Sequence, residues 1–275
     1  MGLPAEQRGF LNYWFRHPWE YVLPLYPGIV LAAAVTGVKL RELMFFNLPY
    51  ALAVAATGYA FGLRGAFFEG GPVAPAAGRQ SGGNAFMGFL SFLPIFSVLA
   101  MVIVFGIELH WAILSALAGL LVFYLYPPSG IWRVIKYSLA PDILLLIAGV
   151  MVFKQFLAGS GAVAGLGRFF TGEGISLTAL LCAVPFTAGL LTGNTMAFVG
   201  ATFPLVISLP GVGPHDVSFA FACGFLGVLM SPVHVCLILS RQYFKADLWG
   251  MYRKMLPAAL AIFAVAAAEY LIFHV

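Results

Sequence analysis

Long apolar runs dominate the chain, and the polar positions that interrupt them set its organisation. Runs bounded by charge or by Gly and Pro predict spanning helices near 10–38, 43–63, 85–106, 109–127, 138–157, 215–240 and 255–273. A bilayer needs about 20 apolar residues per helical crossing, which each of these approaches or exceeds. Between the fifth and sixth lies a different segment, ISLTALLCAVPFTAGLLTGNTMAFVGATFPLVISL, from 175 to 209. It is too long for one span and breaks at its middle, so it predicts a re-entrant hairpin of two half-helices; two short full spans are the alternative.

Two of the predicted spans are themselves interrupted. The first carries RHPWEYVLPLYPG, residues 16 to 28, and the sixth carries Ser231-Pro232 and His234 inside FAFACGFLGVLMSPVHVCLILSRQYF. A proline removes one helical hydrogen bond and clashes with the carbonyl four residues earlier, so each span should kink or break there. Each interrupted span is followed by a charged turn and then a plain apolar span. Broken helix, turn and plain helix therefore occur twice.

Composition fixes the class. The chain is 62% hydrophobic and 9% charged, far from the roughly 25% charged residues of soluble domains. This describes a polytopic membrane protein. The net charge of +4 reflects basic loops facing anionic lipid, not a nucleic-acid partner.

Loop charge gives a topology. With the hairpin entering and leaving on one side, one alternating set of loops and span ends holds Arg8, Arg16, Arg64, Arg79, Arg133, Lys136, Arg241, Lys245, Arg253 and Lys254, and the other holds Lys39, Arg41, Lys154 and Arg168. That bias places the N-terminus in the cytoplasm and the C-terminus outside, in an inner or plasma membrane. On this topology the two broken-helix pairs run in opposite directions. Inverted repeats with discontinuous helices are a common secondary-transporter architecture, because half-helix ends supply backbone dipoles to a midplane site.

Other chemistry is sparse. Cys182, Cys223 and Cys236 lie in apolar segments without CxxC spacing and read as packing residues, so no metal centre or disulfide framework is indicated. GSGAVAGLGRFF at 159–170 has the wrong spacing and context for a dinucleotide loop and reads as an interfacial connector. Nothing resembles HExxH, GxSxG or a P-loop, so an enzyme is not expected. The N-terminus lacks the features of a signal peptide.

At the hairpin break, Thr192, Gly193, Asn194 and Thr195 offer oxygens, amide donors and close backbone approach for a small cation or anionic group. The alternative is that Asn194 and the threonines merely cap the two half-helices. Ser231, Pro232 and His234 would face this tip, and Pro24, Tyr26, Pro27 and Gly28 would form the symmetry-related break. Arg16 and His17 are expected at the cytoplasmic interface, with Trp14 and Trp19 as belt aromatics. Arg16 and Glu20 stand at i, i+4 and could pair, though the role of Glu20 stays open. Asp142 after Pro141 reads as a first-turn helix acid.

The stretches NYWFRHPWEYVLPLYPG, PFTAGLLTGNTMAFVGATFPLV and GFLGVLMSPVHVCLILSRQYF resemble the hallmark segments of an integral membrane family of bacteria and archaea known as domain of unknown function 401. That family is similar in turn to the ion transporter superfamily, with its paired hairpins and paired broken helices. With the loop charges placing 64–84 as a cytoplasmic loop, the resemblance implies residues 1–63 as the remainder of a first repeat and 85–275 as a second repeat. Relatives carry a further N-terminal hairpin region before the segment matching Asn12 to Gly28, which this chain is expected to lack. A homodimer, or a partner supplying the missing hairpin, follows as an expectation.

The functional expectation is a secondary transporter, or its C-terminal part. It would move a small solute, with an organic anion favoured, coupled to Na+ or H+ and without a cofactor. A non-transporting membrane scaffold or accessory subunit is the alternative.

Overall fold

The computed structural model describes residues 3–63, 92–138 and 176–274, with 144–145, 148–149, 152, 155–156 and 159 besides. Every regular element among them is a helix. The chain divides into two compact units, Met1–Val73 with Met151–Val275, and Ala74–Val150. Most of the predicted 138–157 span, the loop at 64–84, the connector at 159–170 and Asp142 lie outside the described residues.

In the larger unit the first predicted span is three helices in series, α1 (Ala5–Trp14), α2 (Pro18–Val22) and α3 (Pro27–Thr36). Next come α4 (Leu40–Phe46) and α5 (Leu48–Gly58), the latter running into a π turn, Tyr59–Leu63. The smaller unit contains α6 (Leu93–Ile103), α7 (Leu109–Phe123) and α8 (Pro128–Ser138), with α6 packed on α7. The larger unit resumes with α9 (Leu177–Thr192), α10 (Thr195–Val206), α11 (Pro214–Met230), α12 (Val235–Phe244) and α13 (Leu248–His274).

Among the described residues, four stretches are long and apolar enough to cross a membrane, Ala5–Thr36, Leu40–Leu63, Pro214–Phe244 and Leu248–Phe273. The first and third are the two interrupted spans. Helices α6 and α7 have 11 and 15 residues, about 16 and 22 Å at 1.5 Å per residue, less than the roughly 30 Å hydrocarbon core.

The anticipated break in 175–209 falls at Gly193-Asn194, between α9 and α10, which pack against each other. Local chemistry explains both ends. Ser176 caps α9 by accepting from Ala179 N–H at 3.2 Å, and Gly193 closes it in the left-handed region at φ 59°. Only glycine adopts that conformation without a Cβ penalty. Asn194 then caps α10, its Oδ1 accepting from Ala197 N–H at 3.1 Å.

Helix α11 is the centre of the larger unit, buried without interruption from Asp216 to Leu229. It begins with Pro214 in the first turn, and Asp216 accepts from Gly213 N–H at 2.7 Å and from the Tyr270 hydroxyl at 2.8 Å. Helix α9 lies directly against it through glycines. A Cβ on Gly189 would collide with Gly224 O, and one on Gly227 with Phe186 O. Small residues that let backbones touch are the usual basis of helix association in lipid, where apolar side chains gain little by leaving the solvent. Beyond these contacts, Phe198, Phe203, Phe221 and Phe225 stack around α11 with Tyr21. On α13 the apolar Leu256 and Leu260 point outward, as a lipid-facing stripe should.

The glycine contact makes a sharp prediction. Gly227→Val must push α9 from α11 and should lower the melting temperature in detergent by the equivalent of about 3 kcal/mol or more, since backbone cannot yield as a side chain does. Gly119→Ala on α7, whose added methyl meets nothing within 4 Å, should leave melting unchanged. Equal melting temperatures for both variants would refute the close packing.

Candidate functional site

At Leu23–Tyr26 and at Ser231 the helix breaks are placed by a proline acting on the residue before it. Leu23 precedes Pro24, Tyr26 precedes Pro27 and Ser231 precedes Pro232, and all three are extended, with ψ of 125°, 125° and 126°. The proline ring clashes with a helical predecessor and drives it to this region. The earlier break, at 15–17, ends where Pro18 opens α2.

A break frees carbonyls that would have been paired in a continuous helix. Side chains from elsewhere take them up. His17 Nδ1 donates to Tyr13 O at 2.6 Å. Asn47 Nδ2 donates to Tyr21 O at 3.1 Å, and its own Oδ1 accepts from Ser218 Oγ at 2.8 Å. At the end of α11, the Tyr13 hydroxyl donates to Leu229 O at 2.8 Å and the Tyr252 hydroxyl to Met230 O at 2.9 Å. At the hairpin tip, His234 Nδ1 donates to Gly193 O at 2.6 Å.

Those bonds assign the two histidines. A carbonyl oxygen only accepts, so both Nδ1 atoms carry hydrogen and each Nε2 is the remaining ring nitrogen. The two Nε2 atoms face each other at 3.2 Å. His17 is 1% exposed and His234 is 8%. Glu20 lies beside them, with Oε1 3.8 Å from His17 Nε2 and Oε2 accepting from Thr195 Oγ1 at 3.1 Å. One donor atom from each of His17, His234 and Cys236 falls within 4.8 Å of the others, a set able to hold a metal ion. Arg16 is exposed and acts electrostatically on His17, Glu20, His234 and Cys236.

The hairpin tip joins both breaks. Gly193 sits against the second, where a Cβ would come 2.9 Å from His234 N and 3.0 Å from Ser231 Oγ. Thr195 sits against the first, its methyl on Gly28 so closely that a Cβ there would collide. The N-terminal ends of α3, α10 and α12 are thereby brought together.

The other anticipated residues divide. Thr192 is exposed and donates to Ala188 O at 2.8 Å on its own helix, and Asn194, also exposed, caps α10. Ser231 is buried and its Oγ accepts from Val233 N–H at 3.3 Å, while Pro232 is exposed. Pro24 is buried, Tyr26 half-buried and Pro27 exposed at the first break.

Three expectations are corrected. His17 is not at an interface: the carbonyl freed at Tyr13 and the ring of His234 draw it inside. Trp14 is not a belt aromatic, being fully buried with its indole N–H donating to Val54 O at 3.0 Å, whereas Trp19 is 53% exposed. Glu20 accepts from Thr195 and stands 3.8 Å from His17 Nε2, and no Arg16–Glu20 ion pair forms among the described residues. Sequence reasoning passed over Tyr13, Asn47, Tyr252 and Cys236. Only Tyr13 left a signal, standing one turn before His17.

Such a fold, with two interrupted apolar spans closing on a helical hairpin, defines an all-helical polytopic membrane protein. The chain belongs to the family described as Protein of unknown function (DUF401), whose model matches residues 2–273. No curated protein matches it.

Removing one of the carbonyl donors tests the site's construction. Tyr13→Phe keeps the ring but strands Leu229 O, so stability should fall by about 1–3 kcal/mol, the penalty for an unsatisfied buried group. A thermal melt in detergent that matches wild type would show that this bond does not hold the break open.

Proposed function

We propose that the protein is a secondary transporter, or its C-terminal part, that moves a small organic anion with Na+ or H+ as the coupling ion. The observation that carries this reading is the meeting of three helix N-termini, those of α3, α10 and α12, through the Gly28–Thr195 and Gly193–His234 contacts. Each N-terminus presents unpaired N–H groups and a partial positive charge, which together suit an anion. Arg16, exposed beside them, adds a full charge. Unwound backbone at membrane depth is tolerated where it lines a cavity or is covered by protein, and paired broken helices around a hairpin are how many secondary transporters build their site.

On this reading the chain has about seven spans, α9 and α10 form a re-entrant hairpin, and the two broken-helix pairs are inverted repeats. It lies in the plasma membrane with its N-terminus cytoplasmic and its C-terminus outside, in keeping with the loop charges. Thr195, Gly193, Ser231 and His234 line the substrate path from the hairpin and the second break, and Gly28, Tyr26 and Glu20 from the first.

Proteoliposomes test this directly. A panel of radiolabelled small carboxylates should include at least one taken up in response to an inward Na+ or H+ gradient. Arg16→Ala should then weaken uptake about ten- to a hundredfold, the loss of one charge-assisted contact of about 1.5–3 kcal/mol. Uptake that no gradient drives, or that Arg16→Ala leaves intact, would count against transport of an anion.

A further inference from the structure

We infer that His17, His234 and Cys236 form a three-ligand binding site for a borderline-soft transition-metal cation of the zinc class, with the Glu20 carboxylate close by. The inference stands on coordination geometry and holds whatever solute crosses the membrane.

Four observations converge. First, both imidazoles are fixed by backbone carbonyls, Tyr13 O on His17 and Gly193 O on His234, each at 2.6 Å from Nδ1. Histidines that ligate metals almost always donate their other N–H to such a group, which sets tautomer and ring orientation. Second, the Nε2 atoms that this leaves stand 3.2 Å apart. Two nitrogens bound at about 2.0–2.1 Å to one tetrahedral zinc stand about 3.3 Å apart, so the rings already have the spacing a shared ion imposes. Third, a sulfur donor is at hand, since Cys236 Sγ and one ring nitrogen of each histidine lie within 4.8 Å of one another. A nitrogen–sulfur set of this kind selects zinc-like ions over Na+, Mg2+ or Ca2+, which prefer oxygen. Fourth, Glu20 Oε1 is 3.8 Å from His17 Nε2 while its other oxygen is held by Thr195.

Charge favours the same answer. A Cys236 thiolate and the Glu20 carboxylate offset the two charges of the cation, which keeps a nearly neutral group in a buried setting where an isolated charge would be costly. The neighbouring Arg16 is then tolerated. Two facing lone pairs without an ion would repel, and no other described side chain is placed to separate them. The ligands also come from both broken spans, His17 from the first and His234 and Cys236 from the second. A bound ion would therefore tie the two interruptions together beneath the hairpin tip.

The test uses the full chain, purified in detergent, stripped with chelator and titrated with Zn2+ alone. After desalting, mass spectrometric metal analysis should find about one zinc per chain, and X-ray absorption should show nitrogen ligands near 2.0–2.1 Å with one sulfur near 2.3 Å. Cys236→Ser is nearly isosteric and touches none of the carbonyl bonds, so it should elute as a monodisperse protein. It should lose the sulfur signal and bind zinc at least about tenfold more weakly, as disturbance of a metal's ligand shell does. Fewer than about 0.1 zinc per chain would overturn the inference and leave the histidines sharing a proton. So would a Cys236→Ser protein with unchanged affinity, which would place the zinc elsewhere.

Discussion

A backbone carbonyl or amide left unpaired inside a bilayer costs several kcal/mol, and this chain opens its helices three times along spans that should cross one. The structure is organised around satisfying what those openings expose. Tyr13, His17, Asn47, His234 and Tyr252 each deliver one side-chain donor to one freed carbonyl. Four of these five bonds join different helices, so the groups that repair the breaks also fix which helices are neighbours. Only His17 repairs its own chain, and it then spends its second nitrogen on His234.

The hairpin reaches the breaks because of how closely α9 can approach α11. Gly189 and Gly227 remove the side chains that would hold the two helices apart, and lipid offers no hydrophobic drive to replace that contact. Once α9 is seated, its left-handed cap at Gly193 turns the chain at the level of Ser231 and His234, and α10 departs along α3 with Thr195 on Gly28. Packing thus sets the position of the polar cluster, and the prolines set only where backbone becomes available to it.

That cluster has a divided character. Helix N-termini and Arg16 favour negative charge, while the nitrogen and sulfur donors a few ångströms away suit a cation. The two demands are compatible if the cation is neutralised by Cys236 and the nearby Glu20 carboxylate. Fixing such groups on rigid helix ends keeps their geometry without flexible side chains, whose ordering would oppose binding.

The sequence by itself determined the membrane class, the four long apolar stretches, both interrupted spans and the turn at Gly193-Asn194. Those features are local: hydrophobic run length, the effect of proline on its predecessor and the left-handed freedom of glycine act within a few residues. Which side chains close the breaks was not local. Tyr13 and Leu229 are 216 residues apart, His17 and His234 are 217, and Glu20 and Thr195 are 175. No spacing rule links such pairs, so His17 and Trp14 read from sequence as interfacial and Cys236 as filler. Only the folded arrangement decided that His17 and Trp14 are buried and that Cys236 stands by the histidines, because only it shows which carbonyls were left free and which helices stand close enough to reach them.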